Sequence, residues 1–170
     1  MRHAKVSTIP EIKTILYATD LGRHMRPVFR QAIGIAQHHD ARIIMLHVVE
    51  PIGSTGEAVL SAYLPDKKVD VMERDGMKKV LKQMKARLEK FCEEEMALCE
   101  KKSSMVKEIL VTTGRPGDRI PQEAEKHEAD LIVIGSCSEG FIGHGLLGTT
   151  ARQVTQVSHL PVLIVPNRMR

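Results

Sequence analysis

Short, uninterrupted apolar runs recur along the chain with helix-period stretches between them, and this alternation limits the available folds more than any other feature. Ile12 to Ala18 (IKTILYA), Ala41 to Val49 (ARIIMLHVV), Val106 to Thr113 (VKEILVTT), Leu131 to Ile134 (LIVI) and Leu160 to Pro166 (LPVLIVP) are too short for helices and rich in β-branched residues. Such runs read as buried strands. Between them, Pro27 to His39 carries Val28, Ala32, Ile35 and Ala36 at helical spacing, and Asp40 closes the segment. Val69 to Lys102 repeats Val80, Leu81, Met84, Leu88, Phe91, Met96 and Cys99 in an amphipathic stripe. Gly114-Arg115-Pro116-Gly117-Asp118 turns the third run into a helix through Ile120, Ala124 and His127, and Thr149-Thr150 opens another through Ala151, Val154 and Val157. The alternation predicts parallel strands joined by right-handed crossovers, hence one α/β, doubly wound, Rossmann-like domain over residues 1–170. Residues 51–68, with two prolines and two glycines, are expected to form an irregular excursion, and 167–170 a polar tail.

Composition removes several functional classes. Five aromatic residues and no Trp leave little from which to build a base-stacking platform for nucleic acid. The formal charge of +4 is mixed along the chain and implies weak attraction for anions rather than a dedicated basic surface. Cys92, Cys99 and Cys137 are odd in number and make no C-x-x-C pair, which suits a reducing compartment. With no apolar leader or span-length run in the sequence, a cytoplasmic location is expected.

The candidate site lies after the fourth run. Leu131 to Ile134 stops at Gly135, and a loop of glycines and small polar residues leads to the helix at Thr149. A helix N-terminus presents unpaired N–H groups and a positive dipole end, and glycines let main chain approach a ligand, so a phosphate is the natural guest. Gly143 to Gly148 matches G-x-G-x-x-G, but the strand ends well before it and no acid follows Glu139, against a dinucleotide fingerprint. Gly143-x4-Gly148-Thr149 resembles a P-loop without its lysine. Phosphate would then rest on backbone N–H groups, on the hydroxyls of Ser136, Ser138, Thr149 and Thr150, and on Arg152. A receiver-type acidic pocket is excluded because Thr112-Thr113 and Val165-Pro166 stand where it needs a carboxylate and a lysine. Asp20 falls at the end of the first strand, the side on which open parallel sheets bind ligands, although an Asp there also suits a helix N-cap. His47 reads as a satisfied core histidine.

These segments together resemble the universal stress protein family. Its nucleotide-binding members are marked by G-x2-G-x9-G-[ST], and Gly135-x2-Ser138-x9-Gly148-Thr149 has that spacing with Ser138 at the second glycine. LYATD (Tyr17 to Asp20), LHVVE (Leu46 to Glu50), GRPGDRI, ADLIVIGS and LPVLIVP extend the similarity over nearly the whole chain. The resemblance implies a sheet of order 3-2-1-4-5, a homodimer, and ATP, with or without Mg or Mn, across the switch point between strands one and four. It places Ala18, Thr19 and Asp20 against adenine and ribose, Val48 against the base, and Gly135, Ser138, Gly148, Thr149 and Thr150 around the phosphates.

The reading that follows is a cytoplasmic, nucleotide-dependent, dimeric stress-response or regulatory protein. A nucleotide-independent interaction module and a slow ATPase or phosphotransferase stay open as alternatives. In the implied strand order the fifth strand is an edge, and Val162, Leu163, Ile164 and Val165 carry no charge between Pro161 and Pro166. An uncharged apolar edge invites pairing, and a two-fold axis closes it once, so these four residues are the expected dimer interface.

Overall fold

The computed structural model of the protein describes residues 9–51, 53, 66–97, 105–137 and 147–167. Its strands are β1 (Thr14–Ala18), β2 (Arg42–Val49), β3 (Val106–Thr113), β4 (Leu131–Gly135) and β5 (Val162–Val165). They form one sheet of order β3-β2-β1-β4-β5, every neighbouring pair parallel. A short 3-10 turn (Arg23–Met25) leads into α1 (Arg26–His39); α2 (Asp66–Met96), α3 (Pro116–Lys126) and α4 (Thr149–Val157) supply the other crossovers. The fold class and strand order are those the sequence and its resemblance imply.

Alternation along each strand divides the core in two. Ile15, Tyr17, Ile43, Met45, Leu131 and Val133 face Val28, Phe29 and Ala32 of α1 and Leu88 and Cys92 of α2. Leu16, Ala18, Ile44, Leu46, Val48, Ile132 and Ile134 face Ile120 and Ala124 of α3 and Ala151 and Val154 of α4. Ile15 pairs with Ile43 on one side and Leu131 on the other, so β1 is central. At the amino end of this seam, Asp130 Oδ2 accepts from the N–H groups of Lys13 and Thr14 at 2.8 and 2.9 Å. Asp130 N–H in turn donates to Thr14 O at 2.8 Å.

Two boundaries differ from the sequence reading. The second helix begins at Asp66, inside the stretch expected to be irregular. The remainder of the expected excursion, apart from Pro51 and Gly53, lies outside the described residues, as do Cys99 and the end of the 69–102 pattern. Asn167, assigned to a polar tail, is 7% exposed and bonded into the core of the ligand side. Residues 168–170 lie outside the described residues.

The start of α1 is held by α2. The Glu95 carboxylate, with no exposed side-chain surface, accepts from Arg26 and, at 2.8 Å, from Arg30 Nε, while Glu94 takes a second nitrogen of Arg26 at 2.7 Å. Burial pushes the Glu95 pKa up, but the hydrogen bonds from Arg30 and Arg26 outweigh it and hold the carboxyl below its ordinary value. Both arginines remain about half exposed, so the buried member is the one that cannot return to water. Removing both arginines should therefore cost about 3 kcal/mol in urea unfolding at neutral pH, and Glu95→Leu much less. A carboxyl lowered on folding stabilises above its unfolded pKa of about 4.3, and that stability is lost as pH falls through the lower folded value. The deficit of the double arginine variant should shrink over that acid range, which urea titrations at stepped pH measure.

Candidate functional site

Chain crossovers leave β1 and β4 in opposite directions, β1 toward β2 and β4 toward β5, and among the described residues no connection fills the gap at their carboxyl ends. A cleft of about 470 Å³ opens there, within the size range of small-molecule sites.

One wall comes from β1 and β2. Thr19 N–H continues the sheet by donating to Leu46 O at 2.9 Å, and Thr19 Oγ1 accepts from Leu21 N–H at 3.0 Å. Asp20 Oδ1 accepts from Gly22 N–H at 2.8 Å, and a Cβ on Gly22 would lie 2.9 Å from that oxygen. Leu21 takes φ 60°, an uncommon conformation for leucine, while its side chain packs on the α1 face of the core. The turn leaves Asp20 exposed at the rim, with Oδ1 used and Oδ2 outside the turn. Asp20 caps no helix, since the following 3-10 turn is capped at Gly22 and α1 at Met25. Tyr17, buried and with its phenol pKa pushed up by that burial, donates to Met25 O at 3.3 Å and holds the turn's far end. Leu46, Val48 and Ala18 add apolar surface, and Glu50 a second carboxylate.

The opposite wall comes from β4, α3 and α4. Gly148 is the N-cap residue of α4; its N–H donates to Ser136 O at 2.8 Å, and a Cβ there would lie 3.1 Å from the same oxygen. Arg152 N–H is the first to bond back within the helix, to Gly148 O, so the N–H groups of Thr149, Thr150 and Ala151 fall in the turn that has no intrahelical acceptor. Thr150 and Ala151 line the cleft; Thr149 is exposed beside it. Pro116, in the first turn of α3, lines it too, so two helix N-termini converge on one space. Their approach depends on Gly117, where a Cβ would lie 2.3 Å from Gln153 Oε1, and on Gln153 Nε2 donating to Asp118 at 2.6 Å.

The structure thus gathers Ala18, Thr19, Asp20, Val48, Gly135, Ser136, Gly148 and Thr150 around one cleft. Ser138 lies outside the described residues, and Arg152 is exposed away from the lining. Ser136 is already engaged: its N–H donates to Val165 O and its hydroxyl to Asn167 Oδ1 at 3.1 Å. Asn167 also accepts from Cys137 N–H at 3.0 Å and donates to Cys137 O at 2.8 Å, and it was not legible as a site-forming residue. His47 is half-buried and satisfied, as expected of a core histidine, yet it also lines the cleft. Its Nδ1 lies 2.7 Å from Thr19 O. Among the described residues no group of three His, Cys, Asp or Glu could hold a metal ion. Apolar walls, a rim carboxylate and N–H groups at two helix ends suit a ligand with a flat apolar part, hydroxyls and an anionic end.

The sequence profile of the universal stress protein family matches residues 11–166. A universal stress protein from Thermus aquaticus, encoded in the QAH/OAS sulfhydrylase 3′ region, is 31% identical over 153 residues, covering 90% of this chain and 98% of that one. MJ0577 of Methanocaldococcus jannaschii is 26% identical over 160 residues, covering 92% and 96%. The solved structure of MJ0577 superposes with a TM-score of 0.73 over 95% of this chain and 100% of its own, at 23% identity. A universal stress protein solved in complex with cAMP superposes with a TM-score of 0.54 over 94% of this chain and 100% of its own, at 22% identity.

Because a carbonyl oxygen only accepts, the Thr19 contact requires the proton of the neutral His47 ring to sit on Nδ1. Nitrogen-15 NMR should show a protonated Nδ1 and a bare Nε2; a proton on Nε2 of the neutral ring would contradict this geometry.

Proposed function

The chain belongs to the universal stress protein family, and from that premise we propose that it binds ATP in the β1/β4 cleft and acts as a nucleotide-dependent, homodimeric regulatory protein of the stress response in the cytoplasm. The observation that carries the reading is the opposition, across one cleft, of the Asp20 carboxylate and the first turn of α4. Adenine lies against Ala18, Thr19 and Val48. The free oxygen of Asp20 accepts from a ribose hydroxyl. The N–H groups of Thr149, Thr150 and Ala151 meet the phosphates, with Gly135, Gly148 and Ser138 shaping the loop, and Mg²⁺ or Mn²⁺ arrives with the nucleotide. Charge at a helix N-terminus is stabilised without a lysine, which the described lining lacks. The cAMP complex of a family member of the same fold supports an adenine nucleotide as the ligand.

Asp20→Asn keeps an acceptor for Gly22 N–H while replacing the oxygen offered to ribose with a donor. Calorimetric titration of Mg-ATP should show roughly tenfold weaker binding by this variant, the scale of one charge-assisted hydrogen bond. Wild-type protein that shows no saturable binding at millimolar ATP would sink the proposal.

The homodimer is proposed through β5. Val162, Leu163 and Ile164 are half-buried and Val165 is buried, and among the described residues the strand's outer edge has no neighbour in the sheet. Antiparallel pairing about a two-fold axis satisfies that edge, and Pro161 and Pro166, which carry no N–H, confine it to the residues between them. Sedimentation at tens of micromolar should find a dimer for wild type and a monomer for Ile164→Lys; a monomeric wild type overturns the pairing.

A further inference from the structure

We infer that Asn167 is a positioning residue for the phosphate end of the cleft: its buried amide fixes the main chain of Ser136 and Cys137, and through them the backbone that seats the N-terminus of α4. The inference rests on the nucleotide reading above and adds a residue outside the glycine-loop motif. Asn167 is not part of the cleft lining; it lies behind the wall formed by Gly135, Ser136 and Cys137.

The amide works like one more rung of sheet. β5 ends at Val165, where Val165 O accepts the last regular bond, from Ser136 N–H at 2.9 Å. Beyond it no further main-chain bond joins the two strands among the described residues, and the Asn167 side chain takes the place of the ladder. Oδ1 accepts from Cys137 N–H at 3.0 Å and Nδ2 donates to Cys137 O at 2.8 Å, so both polar main-chain groups of Cys137 meet one planar amide. Oδ1 also accepts the Ser136 hydroxyl at 3.1 Å. Nδ2 lies 3.5 Å from Met25 Sδ, across the cleft's floor toward the Asp20 turn. An amide is the one small side chain offering both an acceptor and a donor in that plane.

Gly135 fits this role closely. A Cβ at Gly135 would lie 2.7 Å from Asn167 Nδ2 and 2.9 Å from its Cγ. The first glycine of the loop is therefore required by Asn167 itself, apart from any close approach of a ligand. The chain so fixed leads to Ser136 O, which receives Gly148 N–H at 2.8 Å. Displacing Ser136 and Cys137 would carry the N-cap of α4 with them, and with it the N–H groups that meet phosphate. The base and ribose contacts, on the β1 and β2 wall, would be left in place.

That asymmetry gives the test. ATP and adenosine are titrated into wild type, Asn167→Ala, Asn167→Leu, Gly135→Ala and the Gly135→Ala/Asn167→Ala double variant, with thermal unfolding of each. The leucine variant keeps volume behind the wall if the alanine variant does not fold. Asn167→Ala or Asn167→Leu should weaken ATP by roughly tenfold, as expected for losing two or more buried hydrogen bonds that orient the loop, and leave adenosine within about twofold. Gly135→Ala should mimic this loss, and the double variant should be no worse than either single one, because both act through the same amide. A general loss of stability would lower both ligands together and leave their ratio unchanged. Equal loss of ATP and adenosine, no loss of either, or additive effects of the two substitutions would overturn the inference. Failure of wild type to bind ATP would instead show in the wild-type titration alone and remove the nucleotide reading, and this inference with it.

Discussion

Buried main chain must be hydrogen-bonded, and in this protein the condition is met most stringently along β1, which is covered on both faces and paired on both edges. Its pairing with β4 makes the sheet continuous while the chain winds outward in opposite directions from the two strands. The cleft is a by-product of that arrangement. The strands end together, their crossovers diverge, and the space between can be closed only by something that is not part of the sheet. Every lining feature, from the Asp20 turn to the first turn of α4, is attached to one of those strand ends or to an element packed on it.

Much of this was legible in the sequence because the signals are local. Apolar runs of strand length, turn residues after them and helical stripes between them depend on neighbours only a few positions away, and the fold class follows. Asp20, Gly135 and Gly148 could be picked out because strand ends and helix starts are readable as such. Glu95 could not be separated from Glu93 and Glu94 by composition; only the positions of Arg26 and Arg30, more than sixty residues earlier, make it the buried member. Asn167 looked like a tail residue because its partners are thirty positions back. Gly117 and Gln153 are a matched pair across two helices, and neither carries a mark of it in its own segment. Tertiary partners decided each of these cases.

The cleft is electrically uneven. Asp20 and Glu50 place carboxylates on one side, and two helix N-termini bring partial positive charge to the other. A ligand with hydroxyl donors at one end and an anion at the other meets complementary groups along its length, whereas the reverse orientation sets anion against carboxylate. Orientation is thus selected by repulsion as well as attraction. This polarity comes from backbone and carboxylates, so little of it depends on flexible cationic side chains.

The Asp130 carboxylate that takes the N–H groups of Lys13 and Thr14 joins residues 117 and 116 positions apart. The entropy of closing a loop rises with its length, and the β1–β4 seam closes a far longer loop than the β1–β2 pair, where Thr14 meets Arg42. The two walls of the cleft are therefore held together at one end by a contact whose closure is among the costliest in the sheet. Any molecule that touches both walls at the other end acts as a cross-link over the same loop, and its binding energy counts toward holding the two halves of the chain in register.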